Sequence, residues 1–367
     1  MPIQLPSVGQ SLAALLAAAL VALISTPVVR SLAFRVGAVD VPKDSRRMHN
    51  HPIPRMGGLG IYLGFILSVL LFLPLTPELR GMLLGSTIIA VLGIFDDIYA
   101  LPALPKFFIQ IGAALVAVLG GNRIVFLSNP NIFSKELFWE LGWLSIPITV
   151  LWIVGITNAV NLIDGLDGLA CGVSTISSMT LLVIALVMKE PDVAILMAAL
   201  SGACIGFLPY NLNPAKIFMG DTGSTFLGFI LAVVSIQGLF KFYTIISFAV
   251  PFLMLGLPIF DTCFAILRRV SHGQSPMSPD RGHIHHRLID MGFSQKQAVA
   301  VLYIISAILG LSAVVLTTIG VVRAMLFLIA LCVAGAVAGK LYLDRAAASQ
   351  RNQEDSGSRI KKEHPYE

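Results

Sequence analysis

The sequence predicts an all-α polytopic membrane protein with about 11 transmembrane helices. Of its 367 residues, 56% are hydrophobic and only 12% are charged, whereas a soluble domain averages about 25% charged residues. The apolar runs are about 20 residues long, the length that a helix needs to cross a bilayer. They lack the alternating pattern of membrane β-strands, so helices are the structure that satisfies their backbone groups in lipid.

The apolar runs divide the chain into one membrane domain and a tail. No Lys or Arg precedes Arg30, so the first run lacks the basic start of a secretory signal and is predicted to be an uncleaved span. We expect a membrane domain over residues 1–343 and a disordered, charged tail over 344–367. The predicted spans cover roughly residues 9–30, 57–74, 80–95, 106–121, 144–158, 169–188, 193–209, 223–239, 243–267, 298–318 and 321–342.

The basic residues predict the orientation in the membrane. An odd number of spans places the N-terminus and the C-terminus on opposite sides. One side then carries 19 of the 25 Lys and Arg residues, which makes it cytoplasmic and leaves the N-terminus outside. Since the basic residues flank apolar runs, the net charge of +5 gives no reason to expect a nucleic-acid partner. The predicted cytoplasmic segments are 31–56, 96–105, 159–168, 210–222, 268–297 and the tail.

A pair of acids follows the third predicted span. Asp96 and Asp97 are adjacent, and two carboxylates at a membrane surface can hold Mg²⁺ or act as a base. The alternative is a solvated pair between two helices. Lys106 begins the next span, where it is either a phosphate ligand or an anchor on the cytoplasmic side.

A loop rich in amides and acids follows the fifth span. Asn158, Asn161, Asp164 and Asp167 lie within ten residues, a composition suited to a hard cation. A helical turn would align the first three along one side, because they are spaced by three residues. The alternative is a tight turn, since Asp164 and Asp167 each precede a glycine.

A glycine-rich segment over residues 218–224 enters the eighth span. Free amides at a helix start, glycines that permit close approach and Asp221 as a metal ligand would together form a diphosphate site. The alternative is that Asp221 or Thr222 only caps the helix. No Walker-type lysine follows, so the segment is not a P-loop.

Three histidines lie within four residues in the loop after the ninth span. His283, His285 and His286 could bind zinc, but the flanking Arg281 and Arg287 disfavour a cation and favour phosphate. The alternative is a solvated loop.

Asp261 is a separate acid inside the ninth predicted span. It precedes Arg268 by seven residues, or about 10 Å of helix. An acid within the membrane predicts a function, although it could simply pair with a neighbouring polar group.

Together these motifs resemble those of the polyprenyl-phosphate N-acetylhexosamine-1-phosphate transferases, a superfamily that includes the WecA and TagO types and MraY. The resemblance spans about residues 30–290. In relatives, the aromatic residue three positions before the metal aspartate stacks on uracil. The matching positions are Asp96-Asp97 for the paired acids, Lys106 for the spaced lysine, 158–168 for the Asn/Asp loop, Asp221 for the metal aspartate and Phe218 for the aromatic residue.

The resemblance implies a reaction and its ligands. GlcNAc-1-phosphate would pass from UDP-GlcNAc to undecaprenyl phosphate with release of UMP, as the first membrane step of cell-envelope polysaccharide synthesis. Mg²⁺, or Mn²⁺ in its place, would be the cofactor, and the setting would be the inner membrane. The interrupted histidines of segment 283–287 and the stretch 46–58 resemble the WecA and TagO pattern, whereas MraY-type enzymes carry three adjacent histidines.

The predicted site residues fall into three groups. The catalytic group is Asp96, Asp97, Lys106, Asp164, His283, His285 and His286. The substrate-binding group is Asn158, Asn161, Asp167, Asn211, Phe218, Arg281, Arg287 and His49. The metal ligands are Asp221 and Asn161.

Several alternatives remain to be weighed at this point. The same fold could use UDP-MurNAc-pentapeptide, and Asp97 could be a general base or could orient the acceptor or metal. A transporter is disfavoured because transporters place ionisable groups near the midplane, whereas here only Asp261 lies deep. The lipid bilayer is a predicted partner beside the two substrates, and the oligomeric state is open between a monomer and a homodimer.

Overall fold

A computed structural model describes residues 5–41, 52–128, 138–238, 246–275 and 282–319, together with 326, 327, 329 and 330. Four predictions lie outside these residues: the roles of His49 and Arg281, the disordered tail, and nearly all of the eleventh span at 321–342.

The described chain is a bundle of helices with two small hairpins. The helices are α1 (Leu5–Val36), α2 (Gly58–Phe72), α3 (Pro77–Tyr99), α4 (Ala103–Leu119), α5 (Ser145–Leu162), α6 (Leu169–Met188), α7 (Pro191–Asn211), α8 (Gly220–Gly238), α9 (Ile246–Met254), α10 (Gly256–Ser271), α11 (Ile284–Asp290) and α12 (Gln295–Ile319). The antiparallel hairpins pair β1 (Val39–Asp40) with β2 (Ile53–Pro54), and β3 (Phe126–Ser128) with β4 (Phe138–Glu140).

The helices confirm the predicted multi-pass membrane character. Six of the described helices, namely α1, α3, α5, α6, α7 and α12, are long and apolar enough to cross a membrane, and α2 and α4 are shorter apolar helices. The span predicted at 243–267 was wrong in detail, because its described residues, 246–267, do not form one continuous helix. The helix is interrupted at Leu255, between α9 and α10. Pro258 has no amide hydrogen to bond to the carbonyl of Met254, so a continuous helix loses a hydrogen bond there.

Among the described helices, α7 and α8 are the most buried and form the core. Helix α8 packs mainly against α3 and α5, while α7 packs against α1, α6 and α2. Close approach depends on small residues, since a Cβ on Gly202 or Gly206 of α7 would overlap the backbone of α1. The opposite face of α1 exposes a stripe of large apolar side chains at four-residue spacing, which suits contact with lipid: Leu12, Leu16, Leu20, Ile24 and Val28.

The loops predicted to share one side of the membrane meet at one end of this bundle. Arg30, near the end of α1, donates from Nε to the carbonyl of Lys216 at 3.2 Å. Asn213 donates from Nδ2 to Oε1 of Gln295 at 2.8 Å, which joins the loop before α8 to the start of α12. These contacts tie segments that are distant in sequence into a single polar end.

Gly93 of α3 tests how closely the helices must pack at this end. A Cβ on Gly93 would overlap the backbone of Thr222, which cannot move as a flexible side chain could. Gly93→Ala is therefore expected to destabilise the protein by about 1–3 kcal/mol, measured as thermal unfolding in detergent.

Gly155→Ala in α5 is the matched control, because a Cβ there meets nothing within 4 Å. It should be neutral or slightly stabilising, since alanine is the better helix former. Equal stability of the two variants would contradict the close packing of α3 on α8.

Candidate active site

The start of α8 is held by an acid from α3. Asp97 accepts hydrogen bonds from the amide of Asp221 at 2.9 Å, the amide of Thr222 at 3.1 Å and the hydroxyl of Thr222 at 2.6 Å. Its side chain has 0% exposure. A carboxylate from another helix thus caps α8, and neither a solvated acid pair nor a purely local cap by Asp221 or Thr222 describes the arrangement.

Glycines create the space for this contact. Gly220 has a φ of +71°, and a Cβ there would overlap the Asp97 carboxylate. Gly58 and Gly223 face each other so closely that a Cβ on Gly58 would overlap the backbone of Gly223. Gly58 of α2 and the glycines of segment 218–224 therefore allow α2, α3 and α8 to approach at backbone distance.

Asp96, the other acid of the pair, forms an ionic cluster with a lysine. Lys106 Nζ lies 2.8 Å from Asp96 Oδ2 and 3.2 Å from Asp221 Oδ2. The amide of Leu101 donates to Asp96 Oδ1 at 2.6 Å. The Asp221 side chain is 22% exposed and that of Lys106 is 27% exposed, so the cluster is open to a ligand on one side. Lys106 therefore belongs to this ionic cluster, and its catalytic role stays a prediction.

The amide-rich motif reaches the same cluster from α5. Asn161 donates from Nδ2 to Ser224 Oγ at 2.9 Å and also interacts with the Asp221 carboxylate. Helix α5 ends at Leu162, so Asp164 follows in a turn, where its amide donates to the Asn161 carbonyl at 3.1 Å. The predicted helical alignment thus holds for Asn158 and Asn161 and not for Asp164.

Asp164 has an unusual charge state. Burial, and after it the nearby charges of Asp221 and Asp97, together raise the pKa of Asp164 to about 8 against the opposing effect of Arg55. Without a cation, this carboxyl group carries a proton at neutral pH.

Three predicted substrate-binding residues make contacts within the protein. Asp167 Oδ2 accepts from Asn213 Nδ2 at 2.9 Å and from the amide of Ala215 at 3.1 Å. Asn211 accepts at Oδ1 from the amide of Gly168 at 3.2 Å. Both side chains brace the amide-rich loop against the segment before α8. The third, Asn158, donates from Nδ2 to Gln110 Oε1 at 2.7 Å. Their substrate-binding roles stay predictions.

The segment before α8 is joined to the strand β2 region. Phe218 is half-buried, its amide donates to the Pro54 carbonyl at 2.8 Å, and its carbonyl accepts from the amide of Gly57 at 2.9 Å. Arg55 Nε lies 3.7 Å from Asp97 Oδ1. Arg55 was not among the predicted site residues. The sequence feature that could have indicated Arg55 is its place in the stretch 46–58, which resembles the family pattern. The neighbouring residues in the sequence do not indicate that its side chain reaches α3.

The histidine loop is docked and not solvated. His283 and His285 are buried, at 5% and 3% exposure. His283 Nδ1 lies 2.8 Å from Asp261 Oδ2, which pairs the loop with the acid inside α10. The ring of His285 covers Gly165, where a Cβ would overlap it, so the loop adjoins the amide-rich motif. Arg287 is exposed.

The histidine rings lie against one another, stacked for His283 and His285 and tilted for His285 and His286. The centroids of His283 and His285 are 5.8 Å apart at an interplanar angle of 11°, and those of His285 and His286 are 4.3 Å apart. Burial lowers the pKa of His285 to about 4, with a further contribution from His286. His285 is therefore a neutral ring at pH 7.

The oxygen ligands at the cluster fit a hard cation whose coordination shell is completed by oxygens of a bound phosphate. Among the residues described, no three His, Cys, Asp or Glu side chains form a metal site by themselves. The partly exposed Asp221 carboxylate and the adjacent Asn161 amide supply oxygen donors. Mg²⁺ is commonly bound by one or two carboxylates and completes its shell with water and phosphate oxygens. A zinc ion, in contrast, needs three or four protein ligands.

The structure thus brings most predicted site residues to one end of the bundle. Asp96, Asp97, Lys106, Asn161, Asp164 and Asp221 form the central cluster, and His283 and His285 adjoin it through Gly165.

Comparison with known proteins gives a consistent result. The profile described as Glycosyl transferase family 4 matches residues 79–239, which run from the third residue of α3 to the end of α8. A probable undecaprenyl-phosphate N-acetylglucosaminyl 1-phosphate transferase of Bacillus subtilis is 48% identical over 81% of this chain and 82% of the relative.

Two further relatives extend the comparison. A decaprenyl-phosphate N-acetylglucosaminephosphotransferase of Mycolicibacterium smegmatis is 37% identical over 79% of this chain and 78% of the relative. An undecaprenyl-phosphate alpha-N-acetylglucosaminyl 1-phosphate transferase of Yersinia pestis is 29% identical over 78% of this chain and 79% of the relative. The family expected from the motifs is thereby confirmed, and the chain belongs to glycosyl transferase family 4.

Proposed function

We propose that this chain transfers N-acetylglucosamine 1-phosphate from UDP-GlcNAc to undecaprenyl phosphate or a similar polyprenyl phosphate. The observation that carries the proposal is the cluster of Asp96, Lys106, Asn161 and Asp221 at one end of an apolar bundle. A charged nucleotide and the phosphate of a membrane lipid can meet there. The activities named for the three relatives support this choice of substrates, and the product would begin a cell-envelope glycan.

The reaction exchanges one phosphoanhydride for another. An oxygen of the lipid phosphate forms a bond to the β-phosphorus of UDP-GlcNAc. The bond between that phosphorus and the bridging oxygen breaks, and UMP leaves with the oxygen and its electron pair. Since similar bonds are formed and broken, catalysis consists mainly of positioning and charge neutralisation.

The protein's oxygen donors would hold a divalent cation against the donor diphosphate. The residues assigned to Mg²⁺, or to Mn²⁺ in its place, are Asp221 and Asn161, with Asp164 joining when it is ionised. When bound, the cation neutralises charge on the phosphate oxygens. Asn161 is kept in place by its bond to Ser224.

Lys106 is assigned to the phosphates of the donor. Without ligands its ammonium group is paired with Asp96 and Asp221. A diphosphate held at Asp221 would lie within reach of the same group. Exchange of a carboxylate for a phosphate oxygen keeps the lysine paired throughout, which avoids the cost of a partly buried, unpaired charge.

Asp97 is assigned to positioning and not to proton removal. Its carboxylate is inaccessible and is bonded to Asp221 and Thr222 of α8. A phosphate monoester has a second pKa of about 6, so the acceptor is mostly ionised at neutral pH and needs no base.

Three further predicted residues are assigned around the nucleotide. Phe218 would stack on uracil, and the exposed Arg287 would supply positive charge to phosphate. The neutral ring of His285 would act by packing and hydrogen bonding, because its pKa of about 4 leaves it uncharged.

The proposed topology follows from the basic residues. Eleven spans with the N-terminus outside would place the polar end, and with it the site, on the cytoplasmic side of the inner membrane. UDP-GlcNAc is a cytoplasmic nucleotide sugar, so this orientation gives the donor direct access.

The donor assay tests the proposal directly. The purified chain with undecaprenyl phosphate is expected to release UMP from UDP-GlcNAc and not from UDP-MurNAc-pentapeptide. Asp221→Ala should lower the rate by about 10²- to 10³-fold at equal protein level. Asp192→Asn, exposed at the start of α7 and so at the opposite end of that helix, should retain full activity. Transfer from the MurNAc donor alone would reject the substrate assignment.

The pH profile of Asp97→Asn tests the positioning role of Asp97. The variant replaces one carboxylate oxygen by an NH₂ group, which would then face an N–H or O–H donor of α8 instead of accepting from it. Activity should fall, and the free energy of unfolding should fall by about 1–3 kcal/mol. Activity should stay low at every pH, measured as UMP release. Full recovery at high pH would instead assign proton removal to Asp97.

Asp164 predicts a pH dependence of metal binding. A cation binds the ionised carboxylate, so below a pKa of about 8 it must displace a proton. The affinity of the ligand-free protein for Mn²⁺, measured by electron paramagnetic resonance, should rise as the pH increases and level off above about 8.

Asp164→Asn should weaken this dependence, while Asp192→Asn should leave it unchanged. An affinity that is independent of pH in the unmodified protein would exclude Asp164 from the cation site.

A further inference from the structure

Asp261 is a buried acid that the proposed reaction does not use. It lies in α10 with 3% exposure. Its Oδ2 is 2.8 Å from His283 Nδ1, and its Oδ1 accepts from the amide of Ile284 at 2.8 Å. One carboxylate thus holds both the side chain of His283 and the backbone that follows it.

Helix α10 fixes the histidine loop at two points. Besides Asp261, Arg268 donates from Nη1 to the carbonyl of Gly282 at 3.0 Å. Asp261 and Arg268 are seven residues apart, or two helical turns, so they lie on the same side of α10. The backbone on both sides of His283 is therefore fixed, and the ring has little freedom to rotate.

The pairing determines which nitrogen of His283 can serve a ligand. A carboxylate only accepts hydrogen bonds, so Nδ1 must carry the proton that is shared with Asp261. Nε2 is then the single ring nitrogen left for another partner. Since His285, stacked on His283, covers Gly165 of the amide-rich loop, the ring lies beside the proposed site.

A helix cap alone does not require this arrangement. An amide side chain would satisfy the Ile284 amide as well as a carboxylate does. A buried carboxylate is costly unless it is paired, and the His283 ring is the partner that explains a carboxylate at this position.

We propose that Asp261 is a positioning residue that fixes the orientation and tautomer of His283, so that Nε2 is directed to the donor's phosphate oxygens. This inference rests on the proposed function. Asp261 touches no substrate and acts only through the imidazole.

Asp261→Asn separates the two contacts of the carboxylate. The amide oxygen can still accept from Ile284, which keeps the loop docked. The amide NH₂ group would then face His283 Nδ1, which must become an acceptor, and the ring proton moves to Nε2. The variant thus alters the tautomer of His283 while it preserves the local fold.

A double-mutant cycle tests the dependence on His283. Asp261→Asn is expected to lower kcat by about ten- to a hundredfold, as loss of a partner that orients a functional histidine commonly does, with little change in KM for UDP-GlcNAc. In a His283→Gln background it should add less than about a twofold further loss. Independent effects that multiply in the double variant would overturn the proposal.

Thr262→Val is the matched control. Thr262 neighbours Asp261 on α10, and within the described residues its hydroxyl makes no hydrogen bond. The variant should keep kcat. A comparable loss of kcat in Thr262→Val would assign the effect to a general disturbance of α10 and would reject the specific role.

A spectroscopic measurement separates this inference from the proposed function. In ¹⁵N-histidine spectra, with His283 identified by its absence in His283→Gln, the proton should be on Nδ1 and should leave it in Asp261→Asn. Failure of the unmodified protein to release UMP would reject the proposed function alone. An unchanged His283 signal in Asp261→Asn would reject the positioning role, whatever the activity.

Discussion

The contact between Asp97 and the start of α8 is the interaction on which the rest of the site depends. The first amides of a helix have no partners within that helix, and inside a packed membrane bundle water cannot replace them. Asp97 satisfies two of these amides and the Thr222 hydroxyl. This contact sets the distance between α3 and α8, and so the positions of Asp96 and Asp221 relative to each other. The glycines on either side make that distance attainable.

The central cluster also has an electrostatic consequence. Asp96, Asp97, Asp164 and Asp221 converge on Lys106 and Arg55, so acids outnumber the bases. Asp164 keeps its proton chiefly because it is buried, and the like charges of Asp221 and Asp97 add to this effect. A divalent cation would relieve the same repulsion. The cluster is therefore suited to binding a cation together with a phosphate-bearing ligand, and the histidine loop closes one side of it.

Much of the fold could be predicted because hydropathy is a local property. The predicted span at 169–188 coincides with α6, and those at 57–74 and 144–158 lie on α2 and α5. The interruption at Leu255 and the β-hairpins were missed. The interruption was missed because the apolar run continues through Pro258, and hydropathy does not register the lost hydrogen bond. The hairpins were missed because strands of two or three residues are too short to show a periodic pattern.

The sequence by itself determined the membrane setting, the motifs and their shared side, because alternate loops of a multi-span bundle must emerge on the same face. It could not determine what each side chain touches. That Asp97 caps α8, that Arg55 approaches Asp97 and that Asp261 holds His283 was decided by tertiary structure alone. These pairs are separated by 124, 42 and 22 residues. Contacts over such distances depend on how helices pack, and packing reflects the shapes of all the neighbours at once and not any local pattern.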